Sequence, residues 1–402
     1  MKRFKVFAFS CLCVLLSFSL MVSAATVSSE CDISDIATPI DTTVDNVAIG
    51  ATLDIKATSA ILIEANTGRV LYEQNADQKL PPASITKIMS LLLVMEAIDS
   101  GELSLDDTIT ASEHACSMGG SQIWLETGET MTVDELLKAA VIASANDATV
   151  ALGEHIAGSE EAFVMQMNNR AKELGMINTH FVNATGLDAD GHLSSAHDVA
   201  IMSAQLIKHD LIKNYSTVWM DSLRNGESEL VNTNKLVRYY EGTTGLKTGT
   251  TSGAGYCLSA TAERNGLELV AVIMSGATSA DRFNGAKKLL DFGFANYEYA
   301  SLTPNLTKTE IDVENGVYKT MPISTVDSAA TLLKKGDLKN VTQTINLKEK
   351  ITAPIKKGDV VGTIDFYLND EKIEEINIVS AQSVDKMTFF TAFLWILDGL
   401  FK

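Results

Sequence analysis

The chain has 402 residues, of which 46% are hydrophobic and 21% are charged, and its formal net charge at pH 7 is −19. This composition is typical of a globular protein with two or three domains, and the acidic charge argues against nucleic acid as a partner. Five cysteines are too few for a disulfide framework in a chain of this length. The six histidines show neither an HExxH motif nor a Cys/His metal spacing, so we expect neither a metal nor another cofactor.

The N-terminal residues have the pattern of a secretory signal peptide. Cations among the first five residues precede an apolar segment from Val6 to Val22, and Val22-Ser23-Ala24 offers small residues for cleavage. An uncleaved anchor helix is the alternative, which the serines within the apolar segment disfavour. We therefore predict a signal peptide at residues 1–24, a flexible leader at 25–52, and export to the outer face of the cytoplasmic membrane, in the cell wall.

The first folded segment after the leader has the pattern of a β-hairpin followed by a helix. Ser59–Glu64 and Arg69–Gln74 are strand-like and are joined by a turn at Asn66-Thr67-Gly68. After Pro81-Pro82, apolar residues at helical spacing predict a helix that ends near Gly101.

The middle of the chain changes from helical to period-two patterns. Residues 134–183 are mostly helical in pattern, which predicts a helical subdomain. Strand-like segments at 256–263 and 267–276 flank Arg264-Asn265-Gly266, a strong hairpin signal, and a helix over 280–294 follows. The predicted fold is therefore of the α/β (α+β) class, with an antiparallel sheet covered by helices.

Three predicted regions follow from these patterns. Residues 53–298 form the domain just described. Residues 299–383, with Val, Ile, Thr and Lys alternating around turns such as Glu314-Asn315-Gly316, form a small all-β domain. Residues 384–402 form an amphipathic helix with a narrow polar stripe, which we expect to lie in the membrane interface, although docking on the protein's own core is the alternative.

Three short motifs carry the chemistry. They are Ser84-Ile85-Thr86-Lys87, Ser144-Ala145-Asn146 and Lys247-Thr248-Gly249, in that order. Each is weak alone, because a serine after two prolines also suits a helix N-cap, and Ser or Asn after a helix also suits a cap. Together they match the S-x-x-K, S-D-N and K-T-G set of β-lactamases and penicillin-binding proteins, each on an element that its role requires.

Ser84 and Lys87 have the spacing of a nucleophile and its base. A serine at a helix start has a free backbone N–H, and the helix dipole favours a developing oxyanion there. Lys87 lies on the same helical face as Ser84. A lysine acts as a base only if burial or a nearby cation lowers its pKa, and Lys247 is placed to supply that cation.

The other two motifs predict roles around the substrate. Ser144 would relay a proton to the leaving amine, and Asn146 would orient Lys87 and the substrate peptide. Lys247-Thr248-Gly249-Thr250 leads into a strand at the sheet edge, which offers unpaired backbone groups to an extended peptide. The residue Gly249 would let that peptide come close, and the N–H of Thr250 would complete the oxyanion hole.

At these motifs, and at Gly120-Ser121 and Asn183-Ala184-Thr185-Gly186-Leu187, the chain resembles the low-molecular-mass penicillin-binding proteins, the D-alanyl-D-alanine carboxypeptidases of peptidase family S11. The resemblance is close from Ala57 to Phe294 and looser beyond. It implies a serine β-lactamase/transpeptidase-like fold, removal of the terminal D-alanine from peptidoglycan stem pentapeptides through an acyl-enzyme on Ser84, and covalent inhibition by β-lactam antibiotics. It also implies a carboxylate-binding arginine, for which Arg282 is in the matching place; an ordinary surface arginine is the alternative.

Two other functions are alternatives to this one. A serine β-lactamase is disfavoured because Ala145 stands where those enzymes have Asp, and because no Glu-x-x-Leu-Asn segment supplies a deacylating carboxylate. An idle sensor of cell-wall peptides or β-lactams has little support, because every motif side chain is present. Release of free D-alanine from a pentapeptide would separate the three.

Overall fold

The computed structural model describes residues 53–325 and 329–400. The predicted signal peptide, the predicted leader and Cys31 lie outside the described residues. Within these ranges, no helix combines the length and apolar character needed to cross a membrane.

Strands and helices occur in blocks along the described chain. The strands as far as residue 276 are β1 (Ala57–Glu64), β2 (Val70–Gln74), β3 (Thr108–Thr110), β4 (Thr130–Thr132), β5 (Met220–Leu223), β6 (Ser228–Val231), β7 (Thr243–Thr251), β8 (Gly255–Arg264) and β9 (Leu267–Gly276). The later strands are β10 (Tyr297–Leu302), β11 (Glu310–Glu314), β12 (Thr320–Thr325), β13 (Ala329–Lys334), β14 (Thr342–Leu347), β15 (Lys350–Thr352), β16 (Val360–Leu368) and β17 (Glu371–Ser380).

The helices lie mostly between β2 and β7. They are α1 (Lys87–Asp99), α2 (Glu113–Cys116), α3 (Val133–Lys138), α4 (Asn146–Ala157), α5 (Glu160–Glu173), α6 (Ala196–Leu206), α7 (Asp210–Ser216), α8 (Leu236–Tyr239), α9 (Ser279–Asn296) and α10 (Phe389–Leu400). This block confirms the predicted helical subdomain.

The central sheet is antiparallel, in the order β2-β1-β9-β8-β7. Both predicted hairpins are confirmed. Asn265 and Gly266 turn the chain between β8 and β9 at φ of 53° and 79°, the left-handed region that Asn and Gly tolerate best. The strand β7 is an edge strand, so one side of its backbone is left for another partner.

Helices cover both faces of this sheet. Along β1, Ile61 and Ile63 pack in one hydrophobic cluster with α1, whereas Leu62 points to the opposite face and packs with α9. Alternate side chains of a strand point to opposite faces, so a run of buried apolar residues is what a doubly covered strand requires. Each such side chain contributes about 1.5–3 kcal/mol on burial, which makes the sheet a rigid support for β7.

The C-terminal part is an all-β domain with its own core. Its main sheet has the order β14-β16-β17-β12-β11-β15, and β10 pairs with β13. The residue Val384 is fully buried and pairs with Ile355. The terminal helix was predicted from residue 384, but α10 begins later, at Phe389, because Val384 completes the β-domain core.

Candidate active site

Ser84 lies in a 3-10 turn, Ala83–Thr86, that leads directly into α1. The cap positions of the two helical segments are Pro82 and Thr86, and neither makes a side-chain cap bond. Ser84 is therefore not a helix cap. Its hydroxyl instead accepts a hydrogen bond from Lys87 Nζ at 3.0 Å.

Lys87 is fully buried at the start of α1. Its Nζ also donates to the carbonyl oxygen of Thr185, at 2.8 Å. Burial, and secondarily the positive charge of Lys247, hold the pKa of Lys87 well below its ordinary value, while Asp147 acts in the opposite direction. When neutral, the amine can donate an N–H hydrogen bond to Thr185 O and turn its lone pair toward the Ser84 hydroxyl, so the geometry suits a base.

Ser144 occupies a strained position between two helices. The helical segment before it is α3 followed by a π-helical turn, Ala139–Ala143, and Ser144 ends this segment at φ of 65°. A serine in the left-handed region is uncommon and is held there by its surroundings. Its side chain is 4% exposed, beside the start of α4.

Asn146 does not make the predicted contact with Lys87. Its Nδ2 donates to Gly119 O at 2.6 Å, and its backbone N–H donates to Ser121 O at 2.7 Å. Lys87 Nζ bonds to Ser84 and Thr185, and no hydrogen bond joins it to Asn146 among the described residues. The Oδ1 of Asn146 is buried without a hydrogen-bond partner, so an acceptor remains for a substrate N–H.

The structure shows why position 249 must be glycine. A Cβ at this position would lie 2.8 Å from Ser84 N and 3.0 Å from Ile85 N. Only glycine therefore lets the edge strand β7 lie against the turn of the serine. The sequence predicted space for the substrate, whereas the observed close approach is to the protein's own backbone.

Lys247 and Thr248 lie in β7 and are both buried. Burial, followed by the charge of Arg282, lowers the pKa of Lys247 to about 7. Lys247 Nζ donates to Thr248 O at 3.3 Å, and Thr248 Oγ1 donates to Thr233 Oγ1 at 2.7 Å. No motif singled out Thr233, because it precedes β7 in a segment without periodicity.

Arg282 is not the surface residue that was the alternative, since it is only 8% exposed in the first turn of α9. Its Nη1 donates to Thr250 Oγ1 at 2.9 Å, to Gly249 O at 3.0 Å and to Cys257 O at 3.2 Å. Its guanidinium carbon lies 5.3 Å from the ring centroid of Tyr256. Arg282 therefore supports the end of the K-T-G segment from within the domain.

The loop that contains residues 183–187 borders Ser84 and Lys87. Asn183 Oδ1 accepts from the backbone N–H groups of Thr185 and Gly186, an Asx-type turn. A Cβ on Gly186 would lie 1.8 Å from Ala83 O, so this turn is pressed against the turn of Ser84. The composition predicts such a turn, but no local pattern predicts which element it contacts.

A serine beside a buried lysine whose pKa is lowered, at a helix start that faces an edge strand, is the arrangement that serine acyl transfer requires. The family model for D-alanyl-D-alanine carboxypeptidase, peptidase family S11, matches residues 45–278. The model for the penicillin-binding protein 5 C-terminal domain matches residues 298–386. The chain therefore belongs to the D-alanyl-D-alanine carboxypeptidase family.

Individual relatives agree with this assignment. The D-alanyl-D-alanine carboxypeptidase DacF of Bacillus subtilis is 45% identical over 341 residues, which cover 84% of this chain and 88% of that protein. Penicillin-binding protein 5 of Haemophilus influenzae is 31% identical with a TM-score of 0.69, covering 84% of this chain and 99% of that one. Penicillin-binding protein D2 of Listeria monocytogenes, in its ampicillin-bound form, is 36% identical with a TM-score of 0.56, covering 61% and 100%.

Proposed function

We propose that this protein is a serine-type D-Ala-D-Ala carboxypeptidase that acts on peptidoglycan stem pentapeptides. The observation that carries the proposal is the 3.0 Å contact between Ser84 Oγ and the fully buried Lys87 Nζ. Ser84 Oγ attacks the carbonyl between the two D-alanines while Lys87 takes its proton. The C–N bond then breaks, D-alanine leaves with a proton on its amine, and water hydrolyses the ester to free Ser84.

The remaining motif residues bind or protonate the substrate in this proposal. Ser144 passes the proton to the leaving amine, and Asn146 Oδ1 accepts a hydrogen bond from a peptide N–H of the substrate. The backbone N–H groups of Ser84 and Thr250 stabilise the oxyanion. Support comes from Gly249, which brings β7 against the Ser84 backbone.

The terminal carboxylate is the feature that separates this substrate from an internal peptide. Lys247, Thr248 and Thr250 bind it in our proposal, and Arg282 supplies positive charge behind Thr250. The 2.9 Å bond from Arg282 Nη1 to Thr250 Oγ1 supports this role, because it places the guanidinium charge directly behind that hydroxyl, whose own proton is donated to Gly249 O at 2.8 Å.

The location of the enzyme is part of the same proposal. We propose that it is exported and held at the outer face of the cytoplasmic membrane by α10. Large apolar side chains of α10 are exposed, from Leu394 at 46% to Phe389 at 89%. These exposures favour insertion into a membrane interface over docking on the protein's own core.

Labelling with a fluorescent penicillin, followed by peptide mapping, tests the nucleophile. We expect the label on Ser84, and we expect Lys87→Ala to lower the acylation rate by about 10²- to 10⁴-fold because the general base is gone. Attachment at Ser144, or an unchanged rate in the variant, contradicts the assignment. Release of free D-alanine from a pentapeptide then distinguishes this enzyme from an idle sensor, and fast hydrolysis of penicillin would indicate a β-lactamase.

A further inference from the structure

His192 joins two backbone segments of the site by one imidazole ring. Its Nδ1 accepts a hydrogen bond from the Val182 N–H at 2.9 Å, and its Nε2 lies 2.8 Å from Thr86 Oγ1. Because Nδ1 accepts from a backbone N–H, the ring proton is on Nε2 and is donated to Thr86. The ring is 3% exposed and its centroid lies 5.8 Å from that of Phe181.

Each of the two partners of His192 belongs to a segment that contacts or contains Ser84 and Lys87. Thr86 stands between Ser84 and Lys87 in the turn that leads into α1. Val182 begins the loop that includes Thr185, whose carbonyl accepts a hydrogen bond from Lys87 Nζ. A side chain that fixes both segments therefore fixes the distance between the base and the acceptor that orients it.

We infer that His192 is a positioning residue, which holds the loop of Thr185 against the turn of Ser84 so that the Lys87 amine stays dry and aimed at the serine. The inference rests on the proposed function of Ser84 and Lys87. His192 itself contacts no reacting atom, and it acts through Thr86 and Val182.

The ring is suited to this role because it stays neutral. Burial, and then the charge of His180, lower the pKa of His192 to about 4, against a small opposite effect of Asp188. A neutral ring can accept at Nδ1 and donate at Nε2. A doubly protonated ring would present a donor to the Val182 N–H and break that bond.

Loss of the ring should change the titration of Lys87 as well as the rate. Burial is the largest cause of the low pKa of Lys87, and Lys247 and Asp147 are the charged groups that act on it. A looser loop admits water, so the pKa of Lys87 rises toward its ordinary value. The acylation rate falls at acid pH because Lys87 becomes protonated. This fall, the acid limb of the pH profile, then moves to higher pH.

The experiment measures acylation of the full-length protein by fluorescent penicillin as a function of pH. We expect His192→Ala to lower the second-order rate constant by about 10- to 100-fold and to move the acid limb to higher pH. His192→Gln, whose amide can accept from Val182 and donate to Thr86, should keep the rate within about threefold of wild type. The matched control is His180→Gln, which replaces an exposed imidazole beside the same loop and should behave as wild type.

A second variant keeps the test decisive if His192→Ala folds poorly. Thr86→Val removes the hydroxyl that accepts from His192 Nε2 and keeps the shape of the side chain. It should show the same shift of the acid limb to higher pH, and its melting temperature checks that it is folded. An unchanged limb in both variants, with only a lower melting temperature, overturns the inference. If wild type is acylated at Ser84 and His192→Ala matches it, only this inference fails; if wild type is not acylated there, the proposed function fails and takes the inference with it.

Discussion

Two regions of the molecule depart from the usual distribution of polar and apolar residues, in opposite directions. Around the edge strand β7, the cationic side chains Lys87, Lys247 and Arg282 are 0%, 1% and 8% exposed. On α10, the apolar side chains Phe389 and Trp395 are 89% and 60% exposed. Charged side chains are therefore buried in the first region, and large apolar side chains are exposed in the second.

Each departure has a free-energy cost. Burial of an ammonium group costs several kcal/mol unless the amine becomes neutral, and a neutral amine is what serine activation requires. Exposure of a large apolar side chain forgoes about 1.5–3 kcal/mol unless a lipid surface covers it. In our proposal the buried cations serve the chemistry of the site, whereas the exposed apolar side chains serve attachment to a membrane.

Among the variants that test this comparison, the largest effect is expected from the buried arginine. Arg282→Ala should lower turnover of a D-Ala-D-Ala peptide by about 10- to 100-fold, because the positive charge that our proposal places behind Thr250 is lost. The comparison substrate is the same peptide with its C-terminal carboxylate amidated, on which the variant and wild type should differ much less. The ratio between substrates cancels any loss of folded protein. Equal losses on both substrates would show that Arg282 does not read the carboxylate.

A smaller effect is expected on stability at a buried lysine. The pKa of Lys247 is lowered from 10.5 to about 7, so between these values the unfolded chain binds more protons than the folded one. Wild-type stability therefore rises with pH in this window, by up to about 1.4 kcal/mol per pH unit. Lys247→Met lacks this dependence, and its advantage in melting temperature at pH 7 should shrink by pH 9.

The β-domain supplies the control for this second prediction. Lys357 is exposed, so Lys357→Met should leave the change of melting temperature with pH as it is in wild type. A constant gap between Lys247→Met and wild type from pH 7 to pH 9 would mean that the pKa of Lys247 is not lowered in the folded protein. Buried Lys247 and exposed Lys357 would then differ in exposure but not in titration.

The sequence was sufficient where function depends on local pattern. The hairpin around Asn265 and the spacing of Ser84 and Lys87 are local features, and the structure has them as predicted. The contact of Thr185 O with Lys87 joins residues far apart in the chain, and no periodicity reports such a contact. The close approach of Gly249 to Ser84 was missed for the same reason, because a glycine in a strand does not reveal which backbone it approaches.

The smallest expected effect on catalysis concerns α10. The structure moves the boundary of the deletion that tests it, because Val384 belongs to the β-domain core and Met387 N donates to Asn315 O at 2.7 Å. Deleting residues 388–402 spares both contacts. We expect the truncated protein to release D-alanine from soluble peptides at the wild-type rate and to leave the membrane fraction.

The character of the attachment follows from its surface. The chain carries a formal net charge of −19, which opposes close approach to anionic lipid, so the attachment should be hydrophobic. Detergent should extract the full-length protein, whereas high salt should not. A matched variant of full length, Phe390→Glu with Ile396→Glu, places charges at two positions that are 67% and 64% exposed and should be released like the deletion. Retention of either form on membranes, or unfolding of the charged variant, would show that α10 packs on protein instead of lipid, and the opposition between the two regions would then disappear.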